Sequence, residues 1–247
     1  MARRDDVIAF ADELLDLPAY PDYGPMGMQV AGADEVTKIG CAVSASLELF
    51  ECAEAAGTDL LLVHHGLLWD NEPRTIDDRM RRKLEALFRA RATLAAYHLA
   101  LDAHPEIGNN ALLARELGVN VDGPFAELGV GGSLVEPVEP TAFTALVAAQ
   151  LGREPTAFLE GPPTVRRVAI ISGGAARYVT QAAAEGYDLF LTGEPAEPSL
   201  QAARELGIHF VAGGHYATER LGVQALAALI GERFELPWEF IELPNPV

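Results

Sequence analysis

Apolar residues first recur at helical spacing. Val7, Ile8, Phe10, Ala11, Leu14 and Leu15 predict a helix over 4–16 with one apolar face. Residues 17–36 break the pattern with Pro, Gly and Asp, and read as an ordered loop. Short apolar runs then alternate with helical patterns. Strands are predicted at 39–44, 59–63 and 92–97, and helices over 46–56, 79–91 and 105–117. The second of these strands ends at His64-His65. A Gly/Pro/Asp-containing break covers 118–126, after which the rhythm restarts. Strands follow at 134–138, 157–160, 167–172, 189–192, 209–212 and 238–241, with helices over 141–151, 177–185, 198–206 and 217–230. This alternation predicts an α/β fold with mainly parallel sheets and right-handed crossovers. The simplest division is two α/β domains, 1–124 and 125–247.

Composition narrows the function. With 49% hydrophobic and 22% charged residues, the chain can bury a substantial core. Its 18 Lys and Arg against 36 Asp and Glu give a net charge of −18. That balance excludes bulk nucleic acid and anionic membrane surfaces as electrostatic partners. Cys41 and Cys52 are the only cysteines, so neither a disulfide framework nor a CxxC metal motif is expected, and a reducing cytoplasm is. The N-terminal stretch does not read as a signal peptide. No apolar run reaches the roughly 18–20 residues that span a bilayer.

Three segments carry candidate chemistry. Leu61-Leu62-Val63-His64-His65-Gly66 places adjacent histidines at the carboxyl end of a buried strand, where parallel α/β sheets put ligands. Successive strand residues face opposite ways, so both imidazoles reach one site only if the chain turns, and Gly66 permits that. Otherwise the rings serve two metals, or one is a core and one a surface histidine. Tyr97–Pro105 offers His98, Asp102 and His104 after a predicted strand, though Asp102 also suits a helix cap. Gly213–Glu219 offers His215 and Glu219, four apart and hence on one helical face, which suits a shared metal or a simple surface pair. Glu194 closes a fourth strand, either near the site or as an acid complementing a helix dipole. Three imidazoles and two carboxylates drawn from these segments already exceed what one catalytic zinc takes and suit two divalent ions. The N/O set is compatible with Zn, Fe, Mn, Co or Ni. No Walker phosphate loop, dinucleotide fingerprint or GxSxG elbow is present.

Together the segments 22–30 (DYGPMGMQV), 63–66 (VHHG), 97–110 (YHLALDAHPEIGNN), 191–194 (LTGE) and 213–219 (GGHYATE) make the chain recognisable. It resembles the Nif-three-like family of dinuclear-metal hexameric proteins, often named GTP cyclohydrolase 1 type 2, and is similar to its short YbgI-type bacterial members. The resemblance implies that His65 and Asp102 hold one metal, His64 and His215 the other, and that Glu219 bridges both. It implies two similar α/β domains with the metals in the cleft between them, and a toroidal homohexamer. Where family members often carry Asn and Arg, this chain has Met26 and Gly132.

The expected function is a dinuclear metal-dependent hydrolase acting on a small molecule, with a nucleotide as the candidate substrate. The family's named reaction is hydrolytic opening of the GTP imidazole ring, for which a water bridging the two metals would supply the attacking hydroxide. His98, His104 and Glu194 are the candidates for proton transfer or for orienting the ligands. The alternative expectation is a metal-handling or regulatory protein without turnover, because the same five ligands serve it equally well.

Overall fold

Polar caps and glycine stops punctuate the chain in the computed structural model, which describes all 247 residues. The order begins β1 (Ala2–Arg3), α1 (Arg4–Leu14), β2 (Gly27–Val30), β3 (Glu35–Val36), β4 (Ile39–Ser44), α2 (Leu47–Ala56), β5 (Leu60–His65), α3 (Asp78–Ala90), β6 (Thr93–Ala96) and α4 (Leu99–Ala103). It continues with α5 (Asn109–Glu116), β7 (Asn120–Phe125), β8 (Gly129–Val138), α6 (Pro140–Leu151), β9 (Thr156–Leu159), β10 (Val165–Ile170) and α7 (Val179–Ala184). Last come β11 (Leu189–Thr192), α8 (Ser199–Leu206), β12 (His209–Ala212), α9 (His215–Thr218), α10 (Arg220–Phe234) and β13 (Trp238–Phe240). The chain forms two compact units, Met1–Leu101 with Gly222–Leu243, and Asp102–Leu221 with Pro244–Val247. The sequence break near residue 124 lies inside the second unit.

The first unit is built on a five-stranded sheet in the order β13-β4-β5-β6-β2. Every pairing is parallel except β2 with β6. Leu60, Leu61, Leu62 and Val63 are all fully buried, as expected of a central parallel strand covered on both faces. Ser46 accepts the Leu49 amide at 3.1 Å and Asp77 accepts the Met80 amide at 2.8 Å, which fixes where α2 and α3 begin. Leu49, Phe50 and Ala53 of α2 join Ala86 and Leu87 of α3 over Leu61 and Val63. The stretch expected to be a loop, 17–36, contains β2. This four-residue edge strand follows Pro25, and three of its residues keep some exposure, so no apolar run reveals it.

The second unit has a six-stranded sheet in the order β7-β8-β10-β11-β12-β9. Only β10–β11 and β11–β12 pair in parallel, so this sheet is mixed rather than mainly parallel. Leu189, Leu191 and Val211 face Phe143, Val147 and Leu151 of α6. Phe190, Phe210 and Ala169 point the other way, towards Val179, Ala182 and Ala203 of α7 and α8. This is the strand alternation of period two, used to feed a core on each face. Strand β7 occupies the expected break at 118–126. It tolerates Gly123-Pro124 because it lies at the sheet edge, with a register shift between Val121 and Gly123.

Both sheets place polar chemistry at the carboxyl ends of parallel strands, the general position of α/β ligand sites. In the first unit these ends lead into Ser44, His64-His65 and His98. In the second they lead into Ser172-Gly173, Glu194 and His215.

Candidate metal centre

The first unit gathers three imidazoles. Potential ligand atoms of His64, His65 and His98 all lie within 4.8 Å of one another. The ring centroids of His64 are 4.8 Å from His65 and 5.0 Å from His98. The two rings thus lie close together although both histidines belong to β5, which ends at His65. A Cβ at Gly66 would sit 2.4 Å from Gln29 Nε2 and 2.7 Å from the Ala96 methyl. Gln29 packs against Gly66 and accepts the Leu67 amide at 2.7 Å.

Each of these rings has its Nδ1 engaged from outside. His64 Nδ1 lies 2.9 Å from the Tyr97 carbonyl, His65 Nδ1 3.0 Å from Ser44 Oγ, and His98 Nδ1 2.9 Å from Asp22 Oδ1. Asp22 also accepts the Leu99 amide at 2.9 Å through its other oxygen. Burial would raise the Asp22 pKa, but His98 and the Leu99 and Tyr23 amides outweigh it, so the carboxyl titrates below its usual range.

The second unit gathers three carboxylates and one imidazole. His215 Nε2 lies 3.1 Å from Glu219 Oε2, and His215 Nδ1 lies 2.5 Å from Glu194 Oε1. Burial alone would lower the His215 pKa. Hydrogen bonds and charge from Glu219, then Glu194, overcome that and raise it to about 9. Glu219 is only 3% exposed and Asp102 only 7%, and oxygens of the two carboxylates come within 4.8 Å. Asp102 Oδ1 accepts Asn109 Nδ2 at 2.8 Å and Ser172 Oγ at 3.1 Å. Asn110 donates to the Asp102 and Leu128 carbonyls and accepts the Ser172 amide at 2.7 Å.

The next residue, Gly173, has φ +64° and no room for a side chain, since a Cβ there would sit 2.2 Å from Glu219 Oε1. Its amide donates to Thr218 Oγ1 at 3.1 Å. Consecutive residues of one loop thus hold Asp102 and make space for Glu219.

The remaining sequence candidate, His104, stands apart from these clusters. Its Nδ1 accepts the Glu106 and Ile107 amides, each at 3.2 Å, which closes the turn ahead of α5 and puts the proton of the neutral ring on Nε2. Cys41 offers no thiolate, because burial and then the Glu239 charge push its pKa up to about 12.

The donor chemistry fits divalent metals. In each of the four imidazoles Nδ1 meets a carbonyl, hydroxyl or carboxylate, so Nε2 is the atom that could meet a metal, the outer arrangement that orients metal-binding histidines. Asp22, Asn109, Asn110, Ser44, Ser172 and Gly173 are the contributors that residue-type reasoning passed over. The first three lie in quoted motif segments. The Gly173-Gly174 pair after β10 carries the same strand-glycine signal as Gly213-Gly214.

Residues 2–246 match the family model Duf34/NIF3 (NGG1p interacting factor 3). The chain belongs to this family. Among its Duf34/NIF3 relatives, a GTP cyclohydrolase 1 type 2 homolog of Pseudomonas aeruginosa is 45% identical over 96% of this chain and 95% of its own. One of Escherichia coli K12, bearing the same name, is 42% identical over 95% and 96%. The solved structure of the protein ybgI, described as of unknown function, superposes with a TM-score of 0.97 at 40% identity, covering all of both chains. TTHA1606 from Thermus thermophilus gives 0.94 at 35%, again covering all of both. This Duf34/NIF3 chain has no helix long and apolar enough to cross a membrane.

Proposed function

We propose that the chain is a dinuclear metal-dependent hydrolase whose ions are held by His64, His65, Asp102, His215 and Glu219. The observation that carries this reading is the shared use of Nδ1. Four imidazoles are each tied at that atom to an outer partner and so committed to offering Nε2. Following the family pattern, His65 and Asp102 serve one ion, His64 and His215 the other, and Glu219 both. Two bound divalent ions would supply Lewis-acid stabilisation and an acidified water.

The chain's own residues do the positioning. Asp22 holds the His98 ring and Glu194 holds His215. Asn109 and Ser172 fix Asp102. His98 and Glu194 are the groups that hold or move protons during turnover, whereas His104 serves the turn ahead of α5. The relatives' name supports GTP as the first substrate to try. The family resemblance supports a homohexamer, which light scattering would test.

Purified protein is assayed for bound metal and for GTP ring opening beside His65→Ala. The expected result is turnover in the unmodified protein and its loss, with loss of metal, in the variant. Equal activity in both overturns the hydrolase reading. Metal that exchanges readily while no substrate in a hydrolase panel is consumed would instead favour a metal-handling protein.

A further inference from the structure

We propose that Lys83 and Arg79 form an oxyanion subsite beside His65, which takes a phosphate or carboxylate group of the substrate. The proposal deepens the hydrolase reading and rests on it for the role of His65.

A cavity of about 220 Å³ opens where β4 and β5 end, lined among others by Ser44, His65, Trp69, Glu72, Arg79 and Lys83. Pockets that enclose a whole drug-sized ligand run to about 300–1,000 Å³. This one is the size for a single polar group of a larger molecule. His65 links it to the histidine cluster, and the Ser44 hydroxyl that holds His65 Nδ1 at 3.0 Å lies in the same wall.

The cations in this wall are arranged unusually for an acidic chain. Arg79 and Lys83 are four apart on α3 and so share one face. On the same helix Arg81 reaches Glu85 and Arg89 reaches Glu54 at 3.1 Å, while Arg82 bonds only the Asp78 carbonyl. Arg79 has only a loose contact with Glu72, at 3.5 Å. Lys83 is half-buried and makes no ion pair. Its ammonium donates one long hydrogen bond, 3.4 Å, to the Ala45 carbonyl. Burial, then repulsion from Arg79, lower its pKa, with Glu72 opposing. A partly desolvated cation of this kind is costly unless an anion meets it. Two cations against one carboxylate leave the wall net positive within a chain of charge −18. Trp69 adds an apolar wall, its ring 5.3 Å from His98 and 6.4 Å from His65.

The full-length protein, with its metal content measured, is titrated calorimetrically with inorganic phosphate and separately with acetate, while tryptophan fluorescence is read in the Trp238→Phe background so that it follows Trp69. At least one probe is expected to bind. Lys83→Gln and Arg79→Gln should each weaken it by about tenfold or more, and Lys83→Arg should restore most of the loss. Metal content should stay unchanged in all three variants. The probe that binds shows whether the group is phosphate or carboxylate. If neither probe binds, or if the Gln variants bind as tightly as the unmodified chain, the subsite is overturned. An anion held by the metals alone would give the latter result. Failure of the metal centre reads out differently, as purified protein that holds no metal, and the dependence on Lys83 then judges the subsite alone.

Discussion

His215 Nδ1 lies 2.5 Å from Glu194 Oε1, and the ring's other nitrogen faces Glu219. Held between two carboxylates, the metal-free imidazole titrates at about 9, above its ordinary 6.5. A raised folded-state pKa stabilises fully below the unfolded value and loses its effect as pH rises through the folded one. Chelator-treated protein should therefore melt at steadily lower temperature as pH climbs from 6.5 through 9. The scale is about 2–4 °C per kcal/mol for a chain of this size. Glu194→Gln should flatten the fall, and a melting temperature independent of pH in this window would refute the coupling.

Gly173→Ala tests the space reserved for Glu219. The new methyl would sit 2.2 Å from Glu219 Oε1, at a residue whose φ of +64° disfavours any side chain. The variant should lose more than about 1 kcal/mol of stability and most of its bound metal. Denaturant unfolding and elemental analysis check the two effects. Retention of full metal content would show that Glu219 does not need its present position.

Asp22→Ala should misplace His98. The substitution removes the acceptor for His98 Nδ1 and the Leu99 amide, both at 2.9 Å. A loss of about 1–3 kcal/mol is expected by urea unfolding. Because the Asp22 pKa is depressed, its contribution is present above the ordinary carboxylate value and fades as pH falls through the lowered folded-state value. The unmodified and variant proteins should thus converge in stability only in strong acid.

Asn109 and Asn110 are neighbours with separable roles. Asn109 donates to the Asp102 carboxylate, whereas Asn110 bonds backbone groups. Asn109→Ala should weaken metal binding by about 10–100-fold in a chelator competition. Asn110→Ala should cost about 1–3 kcal/mol of stability and change affinity less. The opposite ranking would assign the orientation of Asp102 to the wrong residue.

The sequence made some of this legible and hid the rest for physical reasons. Strands β4, β5 and β11 stand out because both faces are buried and the apolar run is continuous. Strands β2 and β7 do not, because edge strands keep partial exposure and tolerate Gly and Pro. The helix expected over 105–117 begins only at Asn109, since His104 holds the preceding turn. The helix expected over 217–230 is two, separated at Glu219. Ligand-type residues were visible through rare combinations such as His64-His65. Their outer partners were not, because Ser44, Asp22 and Asn109 become informative only when folding brings them to an imidazole or a carboxylate.

The first unit is discontinuous in the chain, and that sets an order of events during synthesis. Strand β13, an edge of its sheet, follows the 120 residues from Asp102 to Leu221. At roughly 5–20 residues per second, a ribosome needs about 6–24 s to make that insertion. For that interval β4 leaves the ribosome without the neighbour that β13 provides. The inserted unit, apart from Pro244–Val247, is already complete in sequence before the unit that surrounds it can close.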